Sequence, residues 1–297
     1  MRNFLRKISP HFLLTFYRSY KKLQQNKRLS AQKKAGKSIT KEQLINDFIQ
    51  CGIEKGDNVL VHASLSKIGH VENGPKDIVD ALLEVVGETG NILMPNSPNA
   101  FYQLDYIQQQ PIFDVQQSKS KLGALTEYFR KLPNAKRSEH PTEPVSCIGP
   151  DTEFFTASHF GENTPYTINS PFYKLTERNG KILYIGVTLA NAGTSLHLLE
   201  DAIPDFKFPV YHPTLFDVQV VTQTGEIKEM KTYVHAPEQS KQRKCDELIP
   251  LFEDKGVMVR SKIGQAPTLV VSAKGMFDTM INAYNEKGVT MYTPKGS

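Results

Sequence analysis

The chain is short of several features, and each shortage removes a class of function. Only three cysteines occur, Cys51, Cys147 and Cys245, far apart and in no zinc-binding spacing. A disulfide framework is excluded, and reduced, unpaired thiols in a cytosolic protein are expected. None of the three sits in a nucleophile context, which disfavours a covalent acyl-cysteine route. No run approaches the roughly 18 uninterrupted apolar residues of a membrane-spanning helix. The eight histidines form no HExxH or HxxxH pair, so no catalytic metal is expected. Neither GxxxxGK[ST] nor GxGxxG is present, leaving nucleotide hydrolysis and dinucleotide binding without a motif. No internal repeat is visible.

The longest stretch without acidic residues is at the start of the chain. Residues 1–41 hold 12 Lys or Arg and no Asp or Glu. The totals of 36 basic and 31 acidic residues therefore leave 24 basic and 31 acidic after position 41, a charge of −7 against +5 for the whole chain. The folded body is acidic, and a nucleic-acid footprint, which needs a basic face on the domain, is not expected.

What is present divides at about residue 40. In the extension, residues 1–39, Phe12, Leu13, Phe16, Tyr17, Tyr20 and Leu23 recur at helical spacing, with Arg18, Lys21 and Lys22 between them. Pro10 stands near the start of this helix, and a polar run from Gln24 to Lys37 follows it. The spacing predicts a basic amphipathic helix with no apolar core or cleavage site of a secretory signal. It has three readings: packing on the body or on a second copy of the chain, peripheral contact with an anionic membrane surface, or an organelle transit peptide. The location expected is cytoplasmic, with the inner membrane face as the alternative.

Residues 40–297 read as one α/β domain. Thr40 and Gln43 form a capping-box pattern that opens a helix to about Cys51. Asn58–Val61 is a short buried strand, His62–Gly69 a loop, and Gly74-Pro75 the start of a helix ending at Gly87. Ile92–Met94 is the next strand, which implies parallel pairing through a right-handed crossover. Residues 95–119 read as one long irregular loop, followed by a helix over 120–132. Lys181–Val187 is a central strand, and Gly193-Thr194 leads into a helix carrying His197 and Glu200. Further strands fall at 215–221, 257–260 and 269–271.

The ordered segments VHASLSKIG (61–69), NGP (73–75), NILMPNS (91–97), IFD (112–114), LGALTEYFRKLPNAKRSEHP (122–141), SPFYKL (170–175), GKILYIGV (180–187) and TSLHLLE (194–200) together resemble the aminoglycoside 3-N-acetyltransferase family. The resemblance covers roughly residues 40–220. It implies a three-layer α/β/α domain with a largely parallel or mixed sheet. It also implies acetyl-CoA or another acyl-CoA as donor, no metal, and direct transfer to a primary amine.

That chemistry needs a base for the amine, which a positioned histidine with a carboxylate behind it supplies. His197 and Glu200 are three apart on a predicted helix and share a face. The resemblance places that helix at the active site, with His197 as general base and Glu200 orienting it or holding the acceptor's ammonium. His140, in the Arg137–Pro141 segment, is the second candidate base. The loop His62, Ser64, Leu65 and Ser66 follows a strand, where open α/β sheets form ligand crevices, and the resemblance assigns it to CoA. Asp114 and Glu143 are candidate acceptor-binding residues.

The sequence departs from the drug-modifying members after His140-Pro141, where Thr142-Glu143-Pro144 stands. Its loop 96–119 also holds only two acidic residues, Asp105 and Asp114. A polycationic acceptor calls for many carboxylates. The expected acceptor is therefore an amino sugar, nucleotide-linked or lipid-linked, in surface-polysaccharide assembly. The alternatives are an aminoglycoside as acceptor, an acyl-CoA or amide hydrolase, and a catalytically inactive membrane-associated scaffold.

Overall fold

The structure, a computed structural model, describes residues 11–99, 102–109 and 112–297. A seven-stranded sheet forms its centre, in the order β4-β5-β2-β1-β6-β10-β9. The strands are β1 (Asn58–Ala63), β2 (Asn91–Pro95), β4 (Lys136–Arg137), β5 (Val145–Ile148), β6 (Lys181–Ile185), β9 (Met258–Ile263) and β10 (Ala266–Ser272). Only β2, β1 and β6 run parallel, with Leu60 opposite Leu93 and Val61 opposite Leu183. The outer strands pair antiparallel on both sides.

Side chains of a strand point alternately to the two faces of its sheet. Val59, Val61, Ile92, Met94, Leu183 and Ile185 enter one apolar core, and Leu60, Leu93, Ile182 and Tyr184 enter the other. A strand buried on both faces reads as a continuous apolar run, as β1, β2 and β6 do. The first core is covered by helices α2 (Lys41–Gln50) and α3 (Pro75–Val86) and by Leu125 and Phe129 of α4 (Ala124–Phe129). The second is covered by α5 (Pro171–Glu177), the segment around residues 245–252, and the long C-terminal helix Ala273–Lys287. The result is the expected three layers.

Local chemistry sets the helix ends. Thr40 accepts from the N–H of Gln43, and the Gln43 side chain accepts from the N–H of Thr40, the reciprocal capping box. Helix α4 is shorter than the 120–132 expected, because Gly123 enters it at φ +132°, outside the helical region.

Residues 95–119 are not one irregular loop. They contain a helix at Gln103–Gln109 and strand β3 (Ile112–Asp114). Strand β3 pairs parallel with β7 (Phe216–Val221), which pairs antiparallel with β8 (Ile227–Thr232), forming a second sheet. Buried Arg137 ties this sheet to the main one, since its guanidinium lies 4.9 Å over Phe113 and donates to the carbonyls of Asn96, Val115 and Ser118.

The extension contains α1 (His11–Lys34). Phe12, Leu13, Phe16 and Tyr17, the start of its apolar stripe, lie outside the described side chains, as does Pro10. Tyr20 and Leu23, on the same stripe, are exposed. The last turns of α1 bind the body. Gln32 accepts from the N–H of His70 at 3.0 Å and donates to Gln265 Oε1 at 2.9 Å, and Arg28 donates to the same oxygen.

Candidate active site

Glu200 is the hub of the site. Its side chain is fully buried in the short helix α6 (Leu198–Ala202), directly after the 3-10 turn Thr194–His197. His197 Nδ1 and His235 Nε2 both lie 2.8 Å from Glu200 Oε2. The hydroxyl of Tyr292 donates to Oε1 at 2.7 Å. The two imidazoles sit 4.3 Å apart, with Tyr166 stacked on His197 at 4.8 Å and Tyr211 on His235 at 4.9 Å.

These contacts fix the protonation states. Burial would raise the Glu200 carboxyl, but the charges and hydrogen bonds of His197 and His235 outweigh it and hold it well below the usual carboxylate range. A carboxylate can only accept, so His197 donates from Nδ1 and His235 from Nε2. The Nε2 of His197 then carries a lone pair, and it makes no hydrogen bond among the described residues. Burial pushes His197 down to about 3, against the opposing pull of the Glu200 carboxylate, so the ring is neutral at pH 7 and its Nε2 is able to accept a proton.

The same three side chains are also the one set among the described residues with the spacing of a metal site. Ligands about 2.0–2.2 Å from a tetrahedral zinc stand roughly 3.3 Å or more from each other. The two 2.8 Å separations are those of shared protons, so the arrangement fits a hydrogen-bonded relay.

The fold brings most of the predicted residues toward Glu200 and leaves two elsewhere. His197 and Glu200 meet as expected, at a 3-10 to α junction in place of a continuous helix. His62 is tied to them, since its Nε2 lies 3.2 Å from Thr194 Oγ1, at the head of the turn that carries His197, and its ring stacks on Tyr184. Ser64, Leu65 and Ser66 are half-buried and open the single helical turn Leu65–Ile68 after β1, where the N–H of Lys67 donates to the carbonyl of Ser64 at 2.8 Å and the N–H of Ser64 ties the turn to β6 through the carbonyl of Ile185 at 2.9 Å. Glu143 joins from behind. It accepts from Ser97 and, at 2.9 Å, from Gln103, whose Oε1 accepts from the backbone N–H of His235 at 3.0 Å. Burial raises its carboxyl.

The other two predicted residues stand apart. His140 is fully buried, stacked on His159 at 4.8 Å, with its nitrogens facing Thr142 and Thr232. Among the described residues no hydrogen bond or ring contact joins it to His197 or Glu200. Asp114 Oδ1 accepts from the backbone N–H groups of Gln116 and Gln117, closing a turn next to β3.

Sequence reading missed His235, Tyr292 and Tyr166. The first two lie beyond residue 220, where no segment resembled the family, and no spacing links them to His197.

Known proteins supply the family. The family described as aminoglycoside 3-N-acetyltransferase matches residues 60–285. Aminoglycoside N(3)-acetyltransferase VII of Streptomyces paromomycinus is 30% identical over 206 residues, covering 64% of this chain and 70% of that protein. The solved structure of AAC-IIIb, a binary complex with CoASH, superposes with a TM-score of 0.68 at 26% identity over 83% of this chain and 97% of that one. Aminoglycoside acetyltransferase AAC(3)-Xa shares the fold, with a TM-score of 0.73 at 22% identity over 89% and 98% of the two chains. With the match spanning most of the described body, the chain belongs to the aminoglycoside 3-N-acetyltransferase family.

Proposed function

We propose that this protein transfers an acetyl group from acetyl-CoA to a primary amine of an aminoglycoside. The observation that carries the reading is the neutral His197, oriented by the buried Glu200 carboxylate with its Nε2 free of partners. His197 Nε2 takes the amine proton as the nitrogen attacks the thioester carbonyl. Glu200 stabilises the imidazolium that forms, and the carbonyl adduct collapses with departure of the CoA thiolate. His235 and Tyr292 fix the carboxylate, and Glu143 holds the His235 segment through Gln103. The turn Ser64–Ser66 is the binding place for CoA, at the C-terminal end of β1.

The relatives named above carry aminoglycoside names, and nothing among them points to a polysaccharide precursor. An aminoglycoside therefore replaces the nucleotide-linked or lipid-linked amino sugar expected from the sequence. The test is thiol release from acetyl-CoA with gentamicin, apramycin or sisomicin, with mass spectrometry of the products. One added acetyl per thiol released supports the proposal. Thiol release at the same rate without any amine would replace it with an acyl-CoA hydrolase.

A further inference from the structure

Helix α1 ends against the loop proposed for CoA, and a groove of about 740 Å³ lies between them. Its walls carry Lys27 and Arg28 of α1 and Lys67 of the turn after β1, with no carboxylate among the lining residues. None of these three cations is ion-paired among the described residues. Arg28 spends one nitrogen on the neutral amide of Gln265, which leaves its charge uncompensated.

The groove stands where three parts of the fold are stitched together. The N–H of Gln265 donates to the carbonyl of Ile68 at 2.7 Å, fixing the β9–β10 turn to the loop that begins at Ser64. The N–H of Gly186 donates to Pro267, and a Cβ on Gly186 would come within 2.8 Å of Lys67 Cβ. The backbone leaving β6 therefore sets the position of Lys67. The groove opens at the carboxyl ends of the parallel strands β1 and β6, where an open α/β sheet binds ligands. Residues 27 and 28 lie outside the stretch matched by the family, 60–285.

We propose that the extension completes the donor site: Lys27 and Arg28 of α1, with Lys67, bind the phosphate groups of CoA. This rests on the acetyl-CoA reading above. CoA carries a diphosphate and a 3′-phosphate at the end remote from its thioester. Three unpaired cations in one groove match that charge, and Arg and Lys bind phosphate through charge-assisted hydrogen bonds.

The test compares the full chain with the double variant Lys27→Glu/Arg28→Glu. Adenosine 3′,5′-bisphosphate, the phosphate-bearing end of CoA without its thioester, serves as the calorimetric probe. The parent binds it, more weakly as salt rises, and the double variant binds it about tenfold or more weakly. In turnover, the KM for acetyl-CoA rises by a similar factor, while kcat changes far less. The milder Lys27→Gln/Arg28→Gln variant, whose fold is checked by circular dichroism, shows a smaller shift in the same direction. Equal binding by parent and variants overturns the proposal, even if the enzyme is active. So does acetyl-CoA turnover by a parent that does not bind the probe. Loss of binding to vesicles of anionic lipid in the double variant, with the KM for acetyl-CoA unchanged, also overturns it and assigns the cations to a membrane surface. Probe binding lost in the variants of a chain that transfers no acetyl group would sustain the phosphate site while removing the proposed reaction.

Discussion

At the scale of single residues, one carboxylate organises the chemistry. Glu200 uses both oxygens, one toward two imidazoles and one toward Tyr292. Removing the tyrosine hydroxyl leaves Oε1 buried without that donor. Tyr292→Phe should cost about 1–3 kcal/mol of stability, read by urea unfolding, and should lower kcat, because the imidazole is held less firmly. An unchanged unfolding midpoint and kcat would mean that the hydrogen bond contributes nothing. The titration of His197 makes a second prediction. Its value of about 3 leaves it already deprotonated across pH 6–8. The pH profile of kcat/KM should therefore show no acid limb centred near 6.5 from this group, and a limb there would contradict its burial. The pair His197 and Glu200 was legible because an i, i+3 spacing survives the change from 3-10 turn to α-helix. His235 and Tyr292 were not, since only the tertiary fold brings residues 35 and 92 positions from Glu200 onto its oxygens.

At the scale of elements, the site hangs on the strand ends. Gly186 follows β6 at φ +66°, and an added Cβ would press on Lys67 and Ala266. Gly186→Ala should destabilise by roughly 1–3 kcal/mol and raise the KM for acetyl-CoA by displacing the turn Ser64–Ile68. Thermal unfolding and initial rates check both, and parental values of each would free that turn from the backbone after β6. The central strands were readable because burial on both faces makes them continuous apolar runs, as in Asn58–Ala63 and Lys181–Ile185. Strand β8 was missed because most of it is exposed and charged, with Lys228, Glu229 and Lys231 exposed and only Met230 and Thr232 buried, which leaves too short an alternation to read. Strand β3 was missed for its length of three residues, which carries too few positions to show a period.

At the scale of the whole molecule, burial of histidines sets the response to acid. His62, His159 and His197 are each pushed to about 3 by burial, His140 well below its ordinary value, and His235 downward. Unfolded, each binds a proton near 6.5, so below that pH the unfolded chain holds more protons and stability falls as pH falls. Two carboxyls oppose this, Asp201, raised to about 6 by burial, and Glu143, raised as well, because they are protonated more readily when folded. Five groups against two leave a net loss, and the melting temperature should be roughly 5 °C or more lower at pH 5.5 than at pH 7.5. A constant value by calorimetry would mean that these rings are protonated within the fold. The charge division visible in the sequence reappears at this scale, since the basic α1 meets an acidic body through Gln32, Arg28 and Gln265.

The most direct test of the central claim is the rate of His197→Ala in acetyl transfer to an aminoglycoside, measured beside acetyl-CoA binding by the same variant. The account predicts a fall in kcat of at least about a hundredfold with donor binding retained. A near-parental rate would remove His197 from the role of base and contradict the mechanism.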